Sequence, residues 1–140
     1  MARLIGIDYG SARVGVAKSD PLGIFASPLE TVPGSQIISF LTGLNREEPI
    51  GRFVIGYPLN LDGRPAQCAP QVDRFIKQVQ IAFPDIPIAL EDERFTSVLA
   101  HRAMIDGGMK KSDRRDKNSV DKISAAIILQ GYLDSHSKNK

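Results

Sequence analysis

The chain has 140 residues and a formal net charge of only +2, so its overall charge gives no strong attraction for nucleic acid. Its content of 42% apolar and 24% charged residues is typical of a globular domain with a buried core and excludes a wholly disordered chain. One cysteine, no secretory signal and no apolar run of the ~20 residues that span a bilayer together predict a cytoplasmic protein without a membrane span.

Apolar and β-branched residues near the N-terminus predict an antiparallel meander of three strands over 3–9, 14–20 and 26–32. The turn GSAR joins the first two strands as a hairpin. Apolar residues at helical spacing then predict a helix over 35–49, with Ser35 as its cap.

The rest of the chain alternates between strands and helices. Apolar runs predict strands over 51–59 and 85–95, and helical periodicity predicts helices over 71–83, 96–106 and 118–133. Because strands separated by helices pair in parallel, this order predicts one α/β domain with a mixed five-stranded sheet and helices on both faces. We expect the domain to span 1–135 and a disordered tail to follow over 136–140.

Asp8 ends the first predicted strand, and functional groups gather at such strand ends in open α/β sheets. Strand alternation places Leu4, Gly6 and Asp8 on one face of the sheet. A carboxylate at the end of an apolar strand is therefore a candidate catalytic group. The alternative is an Asp that only begins the following turn.

A second acidic position lies in the segment EDER, residues 91–94, at the end of a predicted strand. This run of charged residues concentrates negative charge that needs a counter-ion. Arg94 supplies one if the cluster is only a salt-bridged strand end. Alternation does not decide whether Asp92 or Glu93 turns toward Asp8, because register often breaks at strand ends.

Asp121 is the third acidic position. With Asn118 as the helix N-cap, Asp121 stands at the third helical position, where an acid serves as a plain capping partner. Helical spacing instead aligns Asp121 with a small and apolar stripe that would pack on the sheet, where Gly6 allows a close approach. The members of that stripe are Ser124, Ala125, Ile128 and Tyr132.

Three carboxylates that converge from two strand ends and a helix start repel one another unless a cation lies among them. Oxygen ligands suit Mg²⁺ or Mn²⁺, and such ions activate water and stabilise the leaving oxygen in phosphodiester cleavage. No HExxH zinc motif, no GxxxxGK[ST] phosphate loop and no activated Cys or Ser nucleophile is present. The acids therefore favour a metal-dependent nuclease.

Four blocks of sequence, taken together, resemble the YqgF (RuvX) family of the RNase H-like superfamily. Members of this family are described either as Holliday-junction resolvases or as pre-16S rRNA nucleases. The blocks cover nearly the whole domain in order: GIDYGSARVGVA (6–17), VIGYPLNLDGR (54–64), EDERFTSVLA (91–100) and KNSVDKISAAIILQGYL (117–133). FTS stands where family members more often have Leu-Ser/Thr-Thr/Ser, which leaves the acids untouched. The resemblance implies an RNase H-like fold with a metal-dependent nuclease site.

The resemblance also implies which residues form the site. Its catalytic and metal-binding acids fall on Asp8, on Glu93 with Asp92 adjacent, and on Asp121. Candidate contacts to the substrate come from the chemistry of nearby residues, with plain turn chemistry as the alternative. They are Arg13 in the GSAR turn, Asn60 and Arg64 in PLNLDGR, and Arg94, which also steadies the acids.

The expected function is Mg²⁺- or Mn²⁺-dependent cleavage of structured nucleic acid by a monomer or weak homodimer, with processing of the 5′ end of pre-16S rRNA favoured. A Holliday-junction resolvase and a non-catalytic nucleic-acid-binding factor on the same fold are alternatives. One lobe of a sugar kinase or actin-like ATPase is a further alternative, because those proteins also begin with an apolar strand, Asp and Gly. They need two such lobes, and no second Asp-Gly-Ser/Thr hairpin is present.

Overall fold

A computed structural model of the chain describes residues 3–10, 12–60, 62–92 and 117–137. Within these ranges lie five strands, three α-helices and a short 3₁₀ turn. The strands are β1 (Arg3–Tyr9), β2 (Arg13–Ser19), β3 (Ala26–Pro33), β4 (Ile50–Tyr57) and β5 (Ile88–Asp92). The helices are α1 (Ile37–Glu47), α2 (Ala69–Ala82) and α3 (Lys117–Ser137), and the 3₁₀ turn is Gly34–Gln36.

The strands form one mixed sheet in the order β3-β2-β1-β4-β5. β1, β2 and β3 pair antiparallel as a meander, whereas β4 joins β1 and β5 joins β4 in parallel. The predicted fold class is confirmed. The predicted helix over 96–106 lies outside the described residues.

One face of the sheet packs against α1 and α2. The alternate residues Ile5 and Ile7 of β1 point to this face and are fully buried, as are Phe53 of β4 and Leu41 of α1. Phe75 of α2 enters the same cluster, so this face holds the larger apolar core of the domain.

The other face packs against α3, which lies very close to the sheet. A Cβ atom added at Gly6 would come 2.7 Å from the Cβ of Leu129, so only glycine allows this approach. The predicted small and apolar stripe of α3 is buried on this face as expected: Ser124, Ala125, Ile128 and Tyr132. The alternation predicted for β1 is therefore confirmed.

Two predicted helix caps are wrong. The first is Ser35, which lies inside the 3₁₀ turn that precedes α1. This turn begins directly after Pro33, and no side chain caps it. Asn118 lies within α3, which begins at Lys117, and the first turn of α3 contains no acid. Asp121 is therefore not the capping partner that the alternative interpretation required.

The C-terminal end of α3 extends further than the predicted domain boundary. The helix continues to Ser137, and the ring of His136 stacks on Tyr132 with centroids 3.9 Å apart. The expected tail over 136–140 therefore begins inside a helix, and residues 138–140 lie outside the described part. None of the described helices is long and apolar enough to cross a membrane.

Candidate active site

The carboxyl ends of β1, β4 and β5 lie at one edge of the sheet, because these strands run in parallel. β2 runs antiparallel to β1 and begins at this edge with Arg13. The loop that follows β4 leaves from the same edge. This edge, called the acid edge below, is where the topology collects the candidate residues.

Asp8 lies at the acid edge on the α3 face of the sheet. It is two residues beyond Gly6, whose missing side chain faces α3, so strand alternation points both residues to the same face. Directly across the ladder from Asp8 is Gly15 of β2. Asp8 is half-buried, so its carboxylate is partly shielded from water.

Asp121 reaches the same place from the helix. A Cβ atom at Gly15 would overlap the main-chain carbonyl of Asp121, which means that α3 rests directly on this glycine. Because Gly15 is also the ladder partner of Asp8, the two predicted acids adjoin the same glycine, Asp8 within the sheet and Asp121 above it. Two half-buried acidic residues from different elements thus lie next to the same glycine at the acid edge.

Arg13, a predicted contact to the substrate, is paired in the structure with one of the predicted acids, Asp121. Its Nε donates a hydrogen bond to Oδ2 of Asp121 at 2.8 Å, which also makes an ion pair. The side chains of Arg13 and Asp121 are 38% and 25% exposed, so the pair is only partly screened by water. No local sequence pattern indicates this pairing, since 108 positions separate the two residues.

The acids of β5 divide between the two faces of the sheet. Asp92 is exposed, and it lies in register with Tyr57, whose hydroxyl donates to Asp73 of α2 at 3.0 Å. Asp92 therefore lies on the α1/α2 side of the sheet, away from the face of Asp8. Glu93 and Arg94, the other predicted residues of this cluster, lie outside the described residues.

Glu91 is an acid that the sequence analysis did not single out. It follows Ala89 on the α3 face, and a Cβ added at Gly131 would come 3.8 Å from its Oε1. Burial raises the pKa of Glu91, the nearby charge of His136 opposes this rise and that of Asp92 adds to it. Gly131 is ten positions beyond Asp121, about 15 Å along the helix axis, so Glu91 does not belong to the Asp8–Asp121 pair.

Asn60 and Arg64 project from a compact loop at the acid edge. The loop closes by hydrogen bonds between main-chain groups, from Asn60 N to Arg64 O at 2.8 Å and from Ala66 N to Pro58 O at 3.0 Å. Gly63 has a φ of 85°, a conformation that favours glycine. Both predicted contact side chains are exposed, and that of Arg64 is 85% exposed, so they are accessible to a large substrate.

The donor set of the site fits a hard divalent cation. Asp8 and Asp121 offer only carboxylate oxygens, the ligands that Mg²⁺ and Mn²⁺ favour. Within the described residues, no group of three or more His, Cys, Asp and Glu side chains is close enough to hold a metal ion. The described part therefore supplies two acids, and the third predicted ligand, Glu93, falls outside it.

Comparisons with known proteins identify relatives over nearly the whole chain. The model of the family described as "RuvX: Holliday junction resolvase" matches residues 2–135. A protein of Phocaeicola vulgatus is 47% identical over 135 residues, covering 96% of this chain and 97% of the relative. A protein of Bacteroides thetaiotaomicron is 44% identical and covers 96% and 98%. Both carry the name "Putative pre-16S rRNA nuclease".

Solved structures with the same fold include two proteins in complex with Holliday junctions. RuvC of Thermus thermophilus, solved with a Holliday junction substrate, superimposes with a TM-score of 0.62 at 16% identity and covers 98% of this chain and 96% of its own. The Fowlpox virus resolvase, solved with Holliday junction DNA, has a TM-score of 0.62 at 9% identity and covers 96% and 98%. At these identities the likeness shows a shared RNase H-like fold. On the family match and the relatives above, the chain belongs to the RuvX family and is a nucleic-acid-cleaving hydrolase, as the sequence predicts.

Proposed function

We propose that this chain is a divalent-cation-dependent nuclease that cuts a structured precursor of 16S rRNA near its 5′ end. The observation that carries this proposal is that Asp8 of β1 and Asp121 of α3 both lie next to Gly15 at the acid edge. Two relatives at 44–47% identity, both named for pre-16S rRNA, support RNA as the substrate.

Asp8, Glu93 and Asp121 are the proposed catalytic and metal-binding residues. The preference for Glu93 over Asp92 rests on the register of Asp92 with Tyr57, which favours the face away from Asp8. When bound, Mg²⁺ or Mn²⁺ supplies an activated water and stabilises the leaving oxygen of the phosphodiester.

The chain's own residues position these groups and the substrate. Asp8 is fixed by the ladder between β1 and β2, and Asp121 by the contact of α3 with Gly15, so both carboxylates are held on rigid elements. Asn60 and Arg64 bind the sugar-phosphate backbone from the loop after β4, and Arg94 is proposed to bind substrate beside the acids. Arg13, which is hydrogen-bonded to Asp121, is the remaining proposed contact to the substrate.

A Holliday junction is the second candidate substrate, because the matching family is described as a Holliday junction resolvase. Paired cuts across a junction require two sites related by a two-fold axis. Three of the exposed large apolar side chains, Leu22, Ile24 and Phe25, lie on the turn between β2 and β3, at the edge opposite Asp8. We propose a cytoplasmic monomer that acts on RNA, with a weak homodimer as the form that would serve a junction.

A side-by-side cleavage assay on a structured pre-16S rRNA and a four-way DNA junction tests this proposal. We expect single cuts in the RNA with Mg²⁺ or Mn²⁺ and none in EDTA. Symmetric cuts in the junction with little cleavage of the RNA would establish the resolvase instead. Binding of RNA in EDTA without cleavage of either substrate would contradict the enzyme and favour a non-catalytic binding factor.

Replacing Arg64 with Gln is expected to weaken binding of the nucleic acid without disturbing the fold. The Arg64 side chain is 85% exposed, and its contact with Asp62 at 3.9 Å contributes little. If Arg64 contacts one phosphate, its loss should lower the slope of log affinity against log salt by about 0.7 for a single strand and about 0.9 for a duplex. Binding is measured in Ca²⁺ or EDTA over a salt series.

The matched control is Arg46→Gln, which removes an exposed arginine from the last turn of α1. That turn leads into the start of β4, away from the acid edge. A salt slope that changes equally in the two variants would show that Arg64 acts only through net charge.

A further inference from the structure

The main chain at Arg13 is held by hydrogen bonds, and the side chain is partly exposed. Its carbonyl accepts a hydrogen bond from Gly10 N at 2.9 Å, and the carbonyl of the preceding Ala12 accepts one from Gly34 N at 3.0 Å. Strand alternation places Arg13 on the same face as Gly15, under the start of α3. Because the side chain is 38% exposed, the guanidinium can leave its present partner without unfolding anything around it.

The partner of Arg13 is one of the proposed metal-binding acids. Arg13 Nε lies 2.8 Å from Oδ2 of Asp121 and neutralises a half-buried carboxylate that also lies near Asp8. A divalent cation at the proposed site performs the same neutralisation with twice the charge. The guanidinium and the cation therefore compete for Asp121 and repel each other.

From this competition we infer that Arg13 is a charge-balancing residue that a divalent cation displaces from Asp121, and that the displaced guanidinium then binds the phosphate of the substrate. The inference rests on the proposed function and extends it by making cation and substrate binding interdependent. A guanidinium presents a fork of donors that suits a phosphate as well as a carboxylate. Once a phosphate is present, Arg13 can leave Asp121 without losing an anionic partner.

Removal of Arg13 changes the affinity for the cation in opposite directions, depending on whether Arg13 opposes the cation or only supports Asp121. If Arg13 only held Asp121 in place, its removal would misplace a ligand and weaken cation binding. If Arg13 opposes the cation, its removal strengthens cation binding while cleavage falls, because the phosphate loses a contact. Opposite changes in the two quantities therefore distinguish a displaced counter-ion from a fixed support.

The test is titration of Mn²⁺ into the full chain by calorimetry, without nucleic acid, for the wild type and for Arg13→Gln, Arg13→Met and Arg13→Lys. For Arg13→Gln and Arg13→Met we expect Mn²⁺ to bind about three- to tenfold tighter, the range for removal of one like charge at a partly exposed site. We expect Arg13→Lys, which keeps the charge, to stay near the wild-type affinity. Arg46→Gln is the control for loss of a remote arginine and should leave the affinity unchanged.

The second measurement is the rate of cleavage at saturating Mn²⁺. Both neutral variants should cleave more slowly than the wild type by about tenfold or more, because a donor to the reacting phosphate is lost. Weaker or unchanged Mn²⁺ binding by whichever neutral variants fold would overturn the inference and leave Arg13 as a support for Asp121. If the wild type itself bound no Mn²⁺, or cleaved equally well in EDTA, the proposed function would fail first. The two failures are therefore distinguishable.

Discussion

Replacing Asp121 with Asn is expected to reduce Mn²⁺-dependent cleavage by at least about a hundredfold, the size of effect seen when one electrostatic stabiliser of a transition state is removed. Asn keeps the shape of the side chain but is a much poorer ligand for a hard cation. The partner Arg13 is 38% exposed and is solvated after the change, so we expect the fold to persist. Single-turnover cleavage at saturating Mn²⁺, with a thermal melt of the same sample, measures both expectations.

Asp8→Asn should give the same loss, because Asp8 and Asp121 both lie next to Gly15 and are both proposed to bind the cation. The matched control is Asp85→Asn, which removes an exposed carboxylate just before β5, at the opposite edge of the sheet. Cleavage by a folded Asp121→Asn or Asp8→Asn protein at the rate of the Asp85→Asn control would show that these carboxylates do not serve catalysis.

The second large effect is expected from Gly15→Ala. A Cβ atom at this position would overlap the carbonyl oxygen of Asp121 and come 3.0 Å from the main-chain nitrogen of Lys122. These are main-chain atoms of a packed helix, so α3 or β2 must shift. We expect a loss of about 1–3 kcal/mol or more in the free energy of unfolding, as for other overpacked sites, together with slower cleavage. Denaturant unfolding and the cleavage assay measure the two effects.

Substitutions of two other glycines serve as comparisons for Gly15→Ala. Gly43 lies inside α1 with nothing within 4 Å of an added Cβ, so Gly43→Ala should be neutral or stabilise by about 0.5–1 kcal/mol. Gly6→Ala should fall between the two, because its Cβ would meet the Cβ of Leu129 at 2.7 Å. If the Gly15→Ala protein had the same free energy of unfolding as the Gly43→Ala protein, this result would contradict the close contact between α3 and β2.

The fold could be predicted because its signals are local. Alternation along β1 separates Gly6 and Asp8 from the buried isoleucines, and helical spacing along α3 identifies its buried stripe. Both patterns follow from the repeat of one element and need no knowledge of its neighbours. The same patterns predicted that a helix approaches the sheet closely at Gly6, which is confirmed because a Cβ added there would lie only 2.7 Å from the Cβ of Leu129.

The details of the site were harder to predict because they depend on contacts between distant parts of the chain. The ion pair of Arg13 with Asp121 joins residues 108 positions apart, and no local pattern indicates it. The start of α3 was misplaced because Asn118 is a favoured cap by residue type, although the helix already includes it. The distribution of Glu91 and Asp92 between two faces required the register of β5 with β4.

The most direct test of the metal site is an anomalous difference map from a crystal of the wild-type protein soaked in Mn²⁺. We expect a peak within about 2.1 Å of carboxylate oxygens of both Asp8 and Asp121, with Glu93 as the proposed third ligand. The peak should be absent from an identically soaked crystal of Asp8→Asn. Mn²⁺ bound elsewhere, with no density at these two acids in a preparation that cleaves only when the cation is present, would contradict the account.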